Sequence, residues 1–249
     1  MLPTTVNGTA RRGPHRSTSL LPTYLRRIIK PKQMDLEYTF WLMLQLCISP
    51  KTAYRHTSYH KQTKNQWARD DPAFVVICCV LVATAATAYC VTFSDGLWHS
   101  VLTVASAVLV DFLLVGWAIA TAGWFLANRF LRKKNVHSHA IEQHVEWMYA
   151  FDVHCNSYFP LFILLYVVQF LLSPLLLWRS FVSAVLSNAL YAIALAYYHY
   201  LNFLGYSALP FLEHTEVFLW PVAGILLALP FAVLSSFNAT RFTLSIYFG

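Results

Sequence analysis

Two groups of side chains in this sequence could do chemistry. The first centres on Asp111, near the middle of the apolar run 97–127, where a charged carboxylate costs about 2.5–3.5 kcal/mol on insertion scales. At similar depth in three other apolar runs stand Thr84, Gln169, Asn188 and Tyr191, so a hydrogen-bonded Asp111 can join them in a buried polar layer. Such a layer can glue helices together, or it can carry a proton, ion or lipid headgroup. The second group is Glu146-Trp-Met-Tyr-Ala-Phe-Asp-Val-His154, where Asp152 lies two residues from His154 and could orient its imidazole for acid–base work. No nucleophile, glycine-rich loop or metal box accompanies that pair, so it reads as a packed or recognition element, and the chain as a non-enzyme without a cofactor.

Histidines and acids also invite a metal reading at His137, His139 and His144, with Glu142 and Glu146 nearby. Their spacing matches no tight ligand pattern, and they read as a solvated loop. The five cysteines show no CxxC spacing, which points to neither a disulfide framework nor zinc. Cys78-Cys79 read as small apolar packing residues, with acylation the alternative.

The elements that must position these groups are membrane helices. Of 249 residues, 57% are hydrophobic and only 12% charged, too apolar for an ordinary soluble domain. The runs 73–93, 97–127, 158–178, 181–203 and 217–237 are each long enough, at 1.5 Å per residue, for a hydrocarbon core of about 30 Å. The predicted fold is an all-α polytopic bundle of five transmembrane helices. A shorter amphiphilic helix over 34–49, anchored by Phe40 and Trp41, is expected at the cytosolic face, either interfacial or packed on the bundle end.

Before it, residues 1–33 read as a basic disordered tail, and 238–249 as a short lumenal one. The first 30 residues hold no long apolar run, so the first span is expected to act as its own insertion signal. That span is entered through Lys61–Phe74, where Asp71 offers a cap, Pro72 suits the first helical turn and Trp67 suits the interface.

Orientation follows from charge. Of 18 Lys and Arg, all but Arg179 and Arg241 fall on one side of a five-span arrangement, which makes the N-terminus cytosolic and the C-terminus lumenal. The sequons at Asn7 and Asn238 are then cytosolic and pressed against the membrane, respectively, and neither is expected to carry a glycan. The small residues Gly116 and Ala120 mark a helix contact within or between chains.

Four runs together resemble the uncoordinated-50 family of Golgi membrane proteins: Gln33-Met34-Asp35, the stretch 59–74, the stretch 145–154, and Phe203-Leu-Gly-Tyr-Ser-Ala-Leu-Pro-Phe-Leu212. The resemblance implies a multi-pass, non-enzymatic protein of vesicle-mediated transport. It also implies recruitment of a large Arf guanine-nucleotide exchange factor and support for surface delivery of receptors such as nicotinic acetylcholine receptors. Links to the inner nuclear membrane and to RNA come with it.

The candidate partner-binding patch at the cytosolic face comprises Lys61, Lys64, Trp67, Arg69, Glu146, Trp147, Asp152 and His154. The alternative is that these residues seal the bundle end. Two other functions remain open: a small transporter or lipid-handling protein using the Asp111 layer, and an RNA-binding membrane protein acting through the basic tail.

Overall fold

A computed structural model describes residues 34–55, 66–94, 96–133 and 143–248. The basic tail, Lys61, Lys64, His137 and His139 lie outside them. The described chain is all-α, with one isolated antiparallel bridge, Arg132 to Leu212, and no strand among the described residues.

Helix α1, Leu36–Ile48, is followed by five helices long and apolar enough to cross a membrane: α2 Ala73–Phe93, α3 Leu97–Phe130, α4 Trp147–Leu176, α5 Phe181–Ser207 and α6 Thr215–Leu234. A last helix, α7, covers Ala239–Phe248.

The local chemistry explains the helix starts. Asp35 caps α1, its carboxylate accepting from the Tyr38 amide at 3.0 Å. Asp71 begins α2, one oxygen accepting from the Ala73 amide at 3.0 Å and the other from the Asp35 amide at 2.7 Å. A single carboxylate thus satisfies donors at two helix entrances, which sets α1 beside α2.

Helix α1 is not a free surface helix. It buries Thr39, Leu42, Met43 and Leu46 against the bundle, and the Tyr197 hydroxyl donates to the Leu46 carbonyl at 2.8 Å, closing its C-terminal end. Its other face, with Phe40, Leu44 and Ile48, stays exposed.

Helix α4 is the centre. Residues 147–157, read from the sequence as part of a loop, are its first turns. They are polar for a membrane helix, yet Tyr149 to Phe162 are buried with few gaps, because α1, α3, α5 and the 66–72 segment surround them. A helix buried on all sides sets no amphipathic stripe, which hid it.

Three glycines allow the close approach. A Cβ on Gly116 would come within 2.5 Å of His154 Nε2, and one on Gly205 within 2.7 Å of the Val153 side chain; Gly123 meets the Tyr206 hydroxyl in the same way. Gly116 and Ala120 therefore make their contact within the chain.

Two stretches wind as π-helix, Ala107–Leu114 within α3 and Ile163–Val168 within α4. The segment 238–249, expected as a tail, instead forms α7. Asn238 caps it, accepting from the Arg241 amide at 2.9 Å while donating to the Leu176 carbonyl at 2.8 Å. With its side chain 6% exposed and so engaged, Asn238 offers no accessible glycan acceptor.

Helix α6 is the opposite of α4: it leans chiefly on α5 and buries none of Trp220–Leu234.

Candidate functional site: a strapped polar centre and a second polar cavity

Residues 66–72 cross the N-terminal end of α4 as a strap held by two carboxylates. Glu146, extended just before the helix, accepts from the Trp67 amide at 3.3 Å with one oxygen and from the Ala68 amide at 3.2 Å with the other. Asp152 accepts from the Arg69 amide at 2.7 Å, and its second oxygen lies 3.1 Å from the Arg69 guanidinium. That guanidinium also sits 4.4 Å above the Phe74 ring. Within the strap the Gln66 amide donates to the Asp70 carboxylate. Trp67 is 7% exposed, wedged edge-on between Tyr149 and Phe211.

The neighbouring loops close over the same end. Asn128 donates to the Val145 carbonyl at 3.1 Å and accepts from the Val145 amide at 2.8 Å, so one side chain reads the loop in both directions. Residues 131–133 pair with 211–213 through Lys133 N to Phe211 O, 3.0 Å, and Glu213 N to Leu131 O, 2.8 Å. The 203–212 run and the 145–154 run therefore meet the 66–74 run in one place.

Below the strap, His154 Nδ1 meets the Tyr198 hydroxyl at 2.8 Å inside a box of Phe112, Phe151, Tyr158 and Tyr198 rings. Tyr149 donates to the Gly205 carbonyl at 2.6 Å. The Tyr54 hydroxyl, from the helical turn over 50–55, is also enclosed, and burial drives its ionisation upward, so it stays a neutral phenol.

Of the proposed patch, Trp67, Arg69, Glu146 and Asp152 come together, with His154 one to two turns deeper and Trp147 donating sideways to Thr121 at 3.1 Å. They meet as interior groups: Asp152 is 4% and His154 2% exposed. A paired, enclosed carboxylate and a boxed imidazole can hold a strap, but they present no reacting edge to a substrate. Among the described residues no three His, Cys, Asp or Glu side chains converge as a metal site.

A family model, UNC-50 family, matches residues 24–248. The chain belongs to the UNC-50 family. Among the relatives of this UNC-50 chain is the Protein unc-50 homolog of Dictyostelium discoideum, 56% identical over 232 residues, 92% of this chain and 88% of that protein. The Homo sapiens Protein unc-50 homolog is 39% identical over 225 residues, 90% of this chain and 85% of its own. The Schizosaccharomyces pombe Protein GMH1 homolog is 37% identical over 224 residues, 90% and 95% respectively. None of these names denotes an enzyme. No solved structure matches the UNC-50 chain.

The Asp111 layer assembles differently from the sequence expectation. Asp111, Gln169 and Tyr191 do line one cavity, at the end of the bundle away from the strap. Thr84 does not join them: it is exposed, its hydroxyl bonded back to the Val80 carbonyl at 2.8 Å. Asn188 lies apart too, donating to the Phe237 carbonyl at 2.7 Å and accepting from the Ala239 amide at 3.2 Å, so it positions α7.

Their places are taken by α7 itself. Tyr247 donates to Asp111 Oδ2 at 2.7 Å, and Thr243 accepts from the Tyr191 hydroxyl at 2.9 Å. Thr240, Thr243 and Tyr247 recur with helical spacing on one polar face. That period was the signal for the missing partners, and a segment too short to span a bilayer concealed it.

Proposed function

We propose that this protein is a non-enzymatic Golgi membrane protein, N-terminus cytosolic, that acts in vesicle-mediated transport by helping to hold a large Arf guanine-nucleotide exchange factor at the membrane. Through it the protein supports delivery of membrane receptors such as nicotinic acetylcholine receptors. The observation that carries this reading is the convergence of the 66–74, 145–154 and 203–212 runs on the basic end of the bundle.

Because Arg69 and Asp152 are turned inward there, the docking surface is the rim around them: exposed Arg129, Phe130, Lys133, Glu213 and Glu216. The strap supports that rim without touching the partner. A rigid, knitted base under an exposed charged and aromatic rim is what a recruiting surface requires.

The test is the membrane-bound fraction of the exchange factor in cells with and without the protein, with co-precipitation from detergent. Loss of the protein is expected to release the exchange factor from the Golgi. Charge reversal at Lys61, Lys64 and Lys133 is expected to do the same while the protein itself stays in place. An exchange factor that remains bound in cells lacking the protein would overturn the reading.

A further inference from the structure

The cavity beside Asp111 has the composition of a ligand site and lies outside the docking rim. It encloses about 210 Å³ and is partly open to the surroundings, less than a whole small-molecule site, so a ligand seats one end in it and leaves the rest outside. Most of its wall is apolar. Its polar groups include the Asp111 carboxylate, the Gln169 amide and the hydroxyls of Tyr89, Tyr166, Tyr191 and Tyr247.

Two of these groups are not satisfied by the protein. Gln169 is 3% exposed and Tyr89 6%; the two side chains lie close enough to influence each other, yet no hydrogen bond of ordinary geometry reaches Gln169 Oε1 or the Tyr89 hydroxyl. Leaving such atoms unpaired costs roughly 1–3 kcal/mol each, which a fold rarely tolerates without a reason. Asp111 gives one oxygen to Tyr247 and keeps the other for a further donor.

Both π-helical stretches border the same space, the first through Ala107 and Asp111, the second through Leu165 and Tyr166. π-Helical turns are uncommon and concentrate at functional sites.

We propose that this cavity binds an uncharged membrane lipid whose polar end is an alcohol. Oε1 of Gln169 and the free oxygen of Asp111 need a donor, and the Tyr89 hydroxyl is available to donate. A hydroxyl supplies donor and acceptor from one atom, while the apolar wall takes the hydrocarbon next to it and the rest of the lipid lies outside. Among the described residues no Lys or Arg lines the cavity, so a phosphate would find no counter-charge there and would face the Asp111 carboxylate. Sterols and diacylglycerols share the alcohol chemistry. The site rests on its own geometry and does not depend on the docking reading.

The experiment uses the full chain in phosphatidylcholine nanodiscs, irradiated separately with a photoreactive sterol and a photoreactive diacylglycerol, with labelled peptides sequenced by mass spectrometry. Labelling is expected on the π-helical stretches and α7, competed by the unlabelled alcohol of the same kind and not by added phosphatidylcholine. Labelling with one probe names the lipid, and labelling with both defines the alcohol class. Gln169→Leu is expected to reduce labelling about tenfold, the equivalent of about one buried hydrogen bond. Ala107→Phe, which fills the cavity, is expected to remove it.

Competition in the unaltered protein decides the matter even if a variant fails to fold. Label spread evenly over the outer faces of the spans, competition by phosphatidylcholine, or no labelling with either probe would overturn the proposal.

Discussion

The two ends of the bundle each hold a carboxylate, Asp152 buried and Asp111 half-buried, and they treat it differently. At the strap end, Asp152 meets a guanidinium and a backbone amide, and Glu146 meets two amides in succession. At the other end Asp111 meets one tyrosine hydroxyl, beside open space and an unpaired glutamine oxygen. Unpaired atoms occur near the strap as well, His154 Nε2 among them, but the closeness of Gly116 to that nitrogen leaves no room for a guest. What separates a sealed polar centre from a receptive one is thus volume next to unmet hydrogen-bonding capacity, rather than polarity or burial alone.

The comparison breaks most visibly at Asp152. Asp152→Ala leaves Arg69 enclosed without its carboxylate, and removing one member of a buried pair costs about 3–5 kcal/mol. The expected outcome is a large drop in the thermal midpoint of the detergent-purified protein and new protease cleavage around 61–72; an unchanged midpoint would show that the pair does not hold the strap. Gly116→Ala presses a methyl group into His154 and is expected to cost about 1–3 kcal/mol. Gly224, with nothing within 4 Å of an added Cβ, is its control, and Gly224→Ala should change stability by less than about 0.5 kcal/mol.

At the receptive end the effects are smaller. Tyr247→Phe removes one hydrogen bond to Asp111, worth about 0.5–1.5 kcal/mol, and should cause no further loss when combined with Asp111→Leu, which has no acceptor; a fully additive pair in denaturation experiments would deny the coupling. Thr84→Val, outside the layer, is expected to change stability by less than about 0.5 kcal/mol.

Much of this architecture is legible in the residues. Run length and apolarity bring out five spans, and Asp71-Pro72 brings out the start of α2 to within a residue. Two features resist such a reading for physical reasons. The first turns of α4 look soluble because their polar groups are satisfied by strap and neighbours distant in sequence, as Asp152 is by Arg69. Matching depth alone selected Thr84, but depth does not fix the direction a side chain faces, and Thr84 bonds to its own helix instead. In the patch, the motifs that hold Trp67, Arg69, Glu146 and Asp152 meet in one place, whereas composition does not tell whether such a group faces outward or inward.

The Tyr247 to Asp111 bond joins residues 136 positions apart. At about 5–20 residues per second, Asp111 is synthesised on the order of ten seconds before its partner exists. During that interval the nascent bundle carries a carboxylate that α7 has not yet reached, and so do chains cut short before Tyr247. The bond is therefore among the last of the polar layer to form, and the layer is complete only once the final helix has docked.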